Sequence, residues 1–147
     1  MASRIEILKA WNAARNADPA SPHAASYLEE DFQNTGRDGR ILMNKRAYLE
    51  MADTLASAFS GLKFEFTHLQ DQGDSILATF RFEGIHTSRL DLTAIGMGVI
   101  PPSGRQVVSP ESIARFSFRG DKIAGIQEIS GGIEAFAESQ SVRTRPL

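Results

Sequence analysis

The sequence contains no cysteine among its 147 residues, which excludes disulfide bonds, thiolate metal ligands and thiol nucleophiles. It also has little excess charge, because sixteen Lys and Arg residues against eighteen Asp and Glu leave a formal net charge of −2. A basic face for nucleic acid is therefore not expected. No apolar run reaches transmembrane length, and the start MASRIEILKAWNAARN has no continuous apolar stretch of the signal-peptide kind. We expect a cytoplasmic protein with neither a nucleic-acid nor a membrane partner.

Sequence motifs for metals and cofactors are missing as well. The three histidines have no metal-ligand spacing among themselves or with nearby carboxylates. The GMG at residues 96–98 lacks the third glycine and the following helix of a dinucleotide-binding loop. We therefore predict no metal and no cofactor. The length fits a single domain over residues 1–147, with a loose tail at 140–147.

The first part of the sequence has the periodicity of helices. Ser3 and Glu6 form a capping-box pattern, which predicts a helix running to residues 14–17. Ser21 followed by Pro22 predicts the start of a short second helix that carries residues 27–28 inward.

A third helix is the most regular helical pattern of the sequence. Asn44 is its predicted N-cap and Gly61 its predicted end. Its apolar stripe consists of Tyr48, Met51, Leu55 and Phe59.

Beyond residue 61 the apolar period changes from 3.6 to 2, which indicates strands. LKFEFTHL and SILATFRFEGIH flank the turn DQGD and predict a hairpin, with His68 on the face of Phe64 and Phe66. On the second strand His86 points the same way as Phe80 and Phe82. Alternation in residues 112–118 and in KIAGIQEIS predicts two further strands. Helices followed by strands predict an α+β fold in which three helices cover one face of an antiparallel sheet.

Three segments resemble a known family by their content and order. They are FEGIHTSRL, the turn GVIPPSGRQV and the pair ESIARFSFRGDKIAGIQE. The order resembles the SnoaL-like polyketide cyclase and ester cyclase family of the nuclear-transport-factor-2-like superfamily, in which YLEEDFQN stands in the place of a short helix. The resemblance implies a cone-shaped curved antiparallel sheet wrapped around N-terminal helices, a cystatin-like roll with a deep apolar cavity. It also implies a homodimer through the outer sheet face.

The resemblance implies chemistry without a cofactor. A carboxylate takes the proton alpha to a carbonyl, the enolate closes on a second carbonyl of the same substrate, and the acid returns the proton. A carboxylate among phenylalanines ionises less readily than in water, which suits a general base near neutral pH.

Glu128 is the predicted acid and base, because it shares a strand face with Ile126 and stands where the family has its acidic residue. The alternative interpretations are that the Glu128 side chain is exposed to solvent or that it pairs with Arg81 or Arg115. His86 is the second predicted catalytic residue, a donor to a substrate oxygen, and its alternative is an ordinary buried histidine near a strand end.

The remaining predicted site residues are a further catalytic candidate and the residues expected to bind the substrate. Asn34, the third catalytic candidate, stands where the family often has histidine. The predicted substrate-binding residues are Trp11, Tyr27, Phe32, Met51, Leu55, Phe59, Phe82, Met97, Ser112 and Phe116. Residues 87–100 are interpreted either as a rim or lid over the cavity or as an ordinary crossing or subunit contact.

The sequence departs from the family pattern on its last strand. Residues 126–128 read Ile-Gln-Glu where histidine, tryptophan and aspartate are common, and Gly131 replaces a frequent aspartate. Two functions therefore stay open: a cyclase or isomerase that acts on a hydrophobic, polyketide-like carbonyl compound, and a non-catalytic module that binds a hydrophobic small molecule.

Overall fold

The computed structural model of the chain describes residues 3–19, 21–131 and 136. The predicted loose tail at 140–147 lies outside the described residues. Within the described ranges, none of the helices combines the length and the apolar character needed to cross a membrane.

Three α-helices begin at the caps that the sequence predicts. They are α1 (Arg4–Ala17), α2 (Pro22–Ala25) and α3 (Lys45–Ala58). In each case the side-chain oxygen of the cap, Ser3, Ser21 or Asn44, accepts a hydrogen bond from the backbone N–H three residues further on. These bonds satisfy donors that a helix start leaves without partners.

Two helix ends differ from the prediction. Helix α2 ends at Ala25, so Tyr27 is outside it and Leu28 begins a strand. Helix α3 ends at Ala58, and Phe59 is extended because its backbone pairs with His86 in the sheet. The apolar stripe does not reveal this end, because Phe59 is buried in the strand just as an apolar residue of the helix stripe would be.

Nine strands of the described residues follow the helices or lie between them. They are β1 (Leu28–Thr35), β2 (Ile41–Asn44), β3 (Phe59–Asp71), β4 (Ser75–His86), β5 (Leu90–Asp91), β6 (Val99–Ile100), β7 (Gln106–Val108), β8 (Ser112–Arg119) and β9 (Lys122–Ser130). Seven of them form one curved sheet in the order β2-β1-β9-β8-β4-β3, with β7 paired to β4, and β5 and β6 form a separate pair.

The predicted α+β fold is confirmed, with one parallel pairing in an otherwise antiparallel sheet. That pairing joins β1 to β9. The sequence did not predict β1, because Leu28 and Phe32 are four residues apart, a spacing that a helix and a strand can both place on one face. The β3–β4 hairpin is confirmed, but a bulge after Phe66 shifts the register of β3 and leaves His68 exposed.

The segment 87–100 forms a small hairpin that packs into the core. Backbone N–H groups of Thr87 and Ser88 donate to the carbonyl of Ala58 at the end of α3. Leu90 and Leu92 are fully buried. The segment thus anchors the end of α3, and none of its described side chains lines the cavity described below.

Candidate active site

The apolar core consists of two clusters of side chains. The first, which we call the α3 cluster, comprises Met51, Leu55, Ala58, Phe59, Phe64, Phe82, Leu90, Leu92, Ile100, Val107 and Phe136. The second, which we call the α1 cluster, comprises Leu8, Trp11, Leu28, Phe32, Ile76, Ala78, Ala114, Phe116, Ile123 and Ile126.

A cavity of about 120 Å³ lies where the two clusters meet. Both contribute to its walls: Met51 and Phe82 belong to the α3 cluster, and Trp11 and Phe116 to the α1 cluster. Its residues are Trp11, Arg15, Pro19, Asn34, Met43, Tyr48, Leu49, Met51, Ala52, Leu55, Phe64, Phe80, Phe82, Ser109, Ser112, Ile113, Ala114, Phe116, Ile126, Glu128 and Ser130. Most of this wall is apolar, so each polar group in it requires an explanation.

Helix α1 is fixed across the sheet by amide hydrogen bonds. The side chain of Asn16 bonds both backbone groups of Phe64: its Nδ2 donates to the carbonyl at 2.9 Å, and its Oδ1 accepts from the N–H at 2.7 Å. Asn12 donates to the same carbonyl at 3.1 Å. These bonds set the position of Arg15, which lies between the two asparagines in the helix.

Arg15 is a buried cation at the cavity wall, with only 6% of its surface exposed. The central carbon of its guanidinium lies 4.1 Å from the centre of the Trp11 ring and 4.0 Å from that of Phe64. Its Nε donates to Oδ1 of Asn12 at 2.7 Å, whereas Nη2 is buried without a hydrogen bond. Burial lowers the pKa of Arg15 to about 10, and the neighbouring Tyr48 opposes part of that shift. Arg15 therefore remains charged at neutral pH.

Tyr48 interacts electrostatically with both Arg15 and Glu128. Burial raises the pKa of Tyr48, the charge of Arg15 opposes the shift and the charge of Glu128 adds to it. The phenol is therefore protonated at neutral pH and is able to donate a hydrogen bond.

Glu128 reaches the cavity from strand β9. It is partly buried, and it pairs with Ala114 of β8 in the sheet register. The two arginines considered as partners are engaged elsewhere: Arg81 forms an ion pair with Glu65, and Arg115 donates to the side chain of Gln127.

Asn34 is another buried polar residue of the wall. Its Nδ2 donates to the carbonyl of Ile126 at 3.0 Å, which joins β1 to β9, and its Oδ1 is buried without a hydrogen bond. Ser112 lies at the start of β8 and also lines the cavity. The structure thus brings Glu128, Asn34 and Ser112 to one cavity, although their functional roles remain predictions.

Most of the predicted apolar wall residues also line the cavity. They are Trp11, Met51, Leu55, Phe82 and Phe116.

Several predicted site residues lie outside the cavity wall. Phe59 packs in the α3 cluster and Met97 against it, whereas Phe32 is buried in the α1 cluster with its ring 5.1 Å from that of Tyr48. Tyr27 packs at the edge of the α1 cluster beside His23. These four side chains belong to the core clusters or their edges and do not form the cavity wall.

His86 is outside the cavity as well. Its ring stacks on that of Phe59 at a centroid distance of 4.7 Å, with no surface exposed. Neither ring nitrogen forms a hydrogen bond with good geometry. Burial lowers the pKa of His86, and the backbone of Ser88 opposes the shift. Although His86 and Phe82 share a strand face as predicted, the distance along β4 takes the imidazole past the cavity.

The sequence prediction of the site omitted four polar residues of the wall, namely Arg15, Tyr48, Ser109 and Ser130. Tyr48 was predicted only as part of the apolar stripe of α3. Arg15 follows Leu8 and Trp11 at helical spacing, so its place on the buried face of α1 was available as a signal. A charged residue that continues an apolar stripe is rarely buried without a reason.

The structure accounts for one departure from the family pattern. Gly131 has a φ of 79°, and a Cβ there would lie 2.8 Å from Oγ of Ser112 and 2.9 Å from its Cα. An aspartate does not fit this position without a shift of the strand. Across residues 3–19, 21–131 and 136, no group of three or more His, Asp or Glu residues has the arrangement of a metal site.

Comparison with known proteins identifies the relatives of the chain. The SnoaL-like domain family matches residues 7–126, and no curated protein matches significantly.

Solved structures show the same fold over nearly the whole chain. A proposed hydroxylase, AclR from Streptomyces galilaeus, has a TM-score of 0.72 and 14% identity, covering 97% of this chain and 84% of that one. A proposed polyketide cyclase from Acidithiobacillus ferrooxidans has a TM-score of 0.69 and 18% identity, covering 97% of both chains. A hypothetical protein with a ketosteroid isomerase-like fold from Catenulispora acidiphila, solved with trimethylamine, has a TM-score of 0.65 and 12% identity, covering 98% of this chain and 100% of that one. Identities this low indicate a shared fold alone.

Proposed function

The chain belongs to the SnoaL-like domain family, and from that premise we propose that it is a cofactor-independent cyclase or isomerase of a hydrophobic carbonyl compound, with Glu128 as general base and acid. The observation that carries this proposal is the presence of Glu128 in a mostly apolar cavity that also contains Tyr48 and Arg15. Proton transfer from carbon needs a carboxylate at the substrate and donors for the oxygen that becomes negative.

The proposed first step is an enolisation. The Glu128 carboxylate removes a proton from the carbon next to the substrate carbonyl. The electron pair of the broken C–H bond forms the carbon–carbon double bond of the enolate, and the π pair of the C=O bond moves onto the oxygen. The protonated Tyr48 hydroxyl supplies a hydrogen bond that stabilises this enolate, and the positive charge of the Arg15 guanidinium favours the enolate further. Arg15 is buried and Tyr48 is partly buried, so solvent weakens their interaction with the oxygen less than it would at the protein surface.

The second step distinguishes the two reactions. In an isomerisation, protonated Glu128 returns the proton to a different carbon of the enolate. In a cyclisation, the enolate carbon forms a bond with a second carbonyl carbon, and Glu128 gives the proton to the new alkoxide. Neither route requires any oxidant or reductant.

The size of the cavity favours a small substrate. Its volume of about 120 Å³ is somewhat below the ~150 Å³ of an engineered protein cavity that takes up benzene. A compound of one ring is expected to fit inside, and a longer one to extend past the exposed wall residue Ser130. The trimethylamine in the Catenulispora relative is not a good guide to this ligand, because Arg15 places a cation in the wall here.

A β,γ-unsaturated cyclohexenone tests the proposal with a one-ring probe. Its conversion to the conjugated isomer needs only the two proton transfers above and is followed by ultraviolet absorbance. We expect saturable conversion by the wild type and a loss of about 10²-fold or more in Glu128→Gln. Glu50→Gln, which removes an exposed carboxylate of α3, is the control and should keep full activity. Equal rates for wild type and Glu128→Gln would refute the role of Glu128.

A non-catalytic ligand-binding module is the second candidate function. It is favoured by the small number of polar groups in the wall and by the use of Asn34 Nδ2 to join β1 to β9. Saturable binding of the same cyclohexenone without conversion would support this alternative against the enzyme.

We further infer a homodimer joined through the outer face of the sheet. Ile85 of β4 and Val108 of β7 lie on that face, with 42% and 49% of their surfaces exposed. Apolar residues in such positions are typical of contact surfaces. The cytoplasmic location stays a prediction from the sequence.

A further inference from the structure

Arg15 has a buried donor for which the described part of the chain provides no acceptor. Its side chain is 6% exposed and Nη2 makes no hydrogen bond. Leaving such a donor unpaired is costly, and more so when the group is charged. Trp11 and Phe64 contact the guanidinium through their rings and Asn12 accepts from Nε, but none of these contacts provides an acceptor for Nη2.

Among the described residues, no carboxylate forms an ion pair with Arg15. The polar groups near it are Asn12, which accepts from Nε, and Tyr48, whose phenol is protonated at neutral pH. The cavity wall therefore carries a positive charge that nothing in the described structure pairs.

The geometry around the guanidinium restricts how a ligand approaches it. Trp11 and Phe64 lie about equally close to its central carbon, at 4.1 and 4.0 Å, so aromatic rings cover it. An acceptor has to approach in the plane of the guanidinium, where its N–H groups point. Carboxylate oxygens suit this arrangement because they lie in one plane and accept charge-assisted hydrogen bonds.

We propose that the cavity binds an organic anion of a single ring, held at its carboxylate by Arg15. The apolar wall takes the ring, and the volume of about 120 Å³ restricts its size. This inference rests on the proposed function, because it assumes that the ligand occupies the same cavity as the substrate, and it adds the chemical class of that ligand. The negative charge of the carboxylate is present before any reaction, whereas the enolate charge forms only during the reaction.

Benzoate and benzamide form a matched pair of probes, since they share ring and shape and differ in charge. Calorimetric titration of the wild type should show benzoate binding about ten-fold or more tighter than benzamide, as a charge-assisted hydrogen bond contributes. Arg15→Met keeps an unbranched apolar stem and should bind the two equally. Arg15→Lys should keep a preference for benzoate. Arg46→Met, at an exposed position of α3, should match the wild type.

Several results would overturn the proposal. Equal affinity of the wild type for both probes, binding of neither, or an undiminished preference for benzoate in Arg15→Met would each do so. Thermal unfolding checks that the variants fold. If Arg15→Met does not fold, the wild-type comparison and Arg15→Lys decide the matter.

Glu128→Gln separates this proposal from the catalytic one. It removes a negative charge from the wall and should therefore bind benzoate at least as tightly as the wild type, even where it converts no cyclohexenone. Weaker benzoate binding in Glu128→Gln would contradict an anion site at Arg15. Loss of turnover with benzoate binding retained supports both proposals.

Discussion

Ala114 and Glu128 are paired residues of neighbouring strands, and both line the cavity. Paired side chains of antiparallel strands have Cβ atoms about 4.5–5.5 Å apart. The methyl group of Ala114 therefore leaves the space beside the carboxylate that a ligand is proposed to occupy. Ala114 is 1% exposed and belongs to the α1 cluster, so its small size matters for the packing of the core as well as for the cavity.

Enlarging Ala114 should close the cavity to ligands. Ala114→Leu adds three carbons next to Glu128, and we expect it to weaken binding of both benzoate and the cyclohexenone by about ten-fold or more, because the ring loses its space. Calorimetric titration measures this effect. Ala13→Leu, on the exposed side of α1, controls for the substitution itself. Unchanged binding by Ala114→Leu would show that these probes bind elsewhere.

Substitution by alanine should destabilise the protein more at Gly131 than at Gly120, although both glycines have positive φ angles. Both Gly131 and Gly120 have positive φ angles, 79° and 62°, but a Cβ at Gly120 meets no atom within 4 Å. Gly120→Ala should therefore cost only the backbone term, about 1–2 kcal/mol of unfolding free energy. Gly131→Ala should cost a further ~1–3 kcal/mol because its Cβ overlaps Ser112. Urea denaturation measures both, and equal losses would contradict the predicted overlap.

The sequence predicted the features that depend on neighbouring residues. Ser3 and Asn44 cap their helices through bonds that span three residues, so local spacing was sufficient. Alternation along the last strand likewise predicted that Ile126 and Glu128 share a face, and both line the cavity. The family resemblance is confirmed by the match over residues 7–126.

Features that depend on distant parts of the chain were not predictable in the same way. Strand β1 is completed by a parallel partner far away in sequence, β9. The bulge after Phe66 turned His68 outward, and period-2 spacing carries no sign of such a shift. Arg15 depends on where α1 crosses the sheet, which is set by the bonds from Asn16 to Phe64. Without that crossing, an arginine near a helix end is ordinarily expected to be exposed.

The proposed dimer interface predicts a change of mass in solution. Sedimentation velocity of the wild type should show a dimer. Val108→Glu places a charge on the outer face beside Glu83, its register partner, and should shift the protein to monomer because like charges would be buried together. Ala13→Glu, at an exposed position of α1, is a control for an added charge away from the outer face of the sheet. A wild type that is monomeric at all concentrations would rule out the interface.

His86 should make stability depend on pH in a defined direction. Burial keeps its pKa below the ordinary value of 6.5, and within the described residues no charged side chain contributes to that shift. The unfolded chain therefore binds a proton more readily than the folded one. The stabilisation is fully present above pH 6.5, and it is lost as the pH falls from that value through the lower pKa of the folded state.

Urea denaturation at about pH 8 and about pH 5 tests this dependence. The unfolding free energy of the wild type should be lower at the acidic pH. His86→Phe keeps an aromatic ring against Phe59 and has nothing to protonate, so the part of the decrease due to this site should disappear. His68→Phe removes the exposed histidine of β3 and should retain the wild-type decrease. If His86→Phe lost as much stability on acidification as the wild type, the acid sensitivity would have to come from other groups, and the buried imidazole would be a packing residue without a role in the pH response.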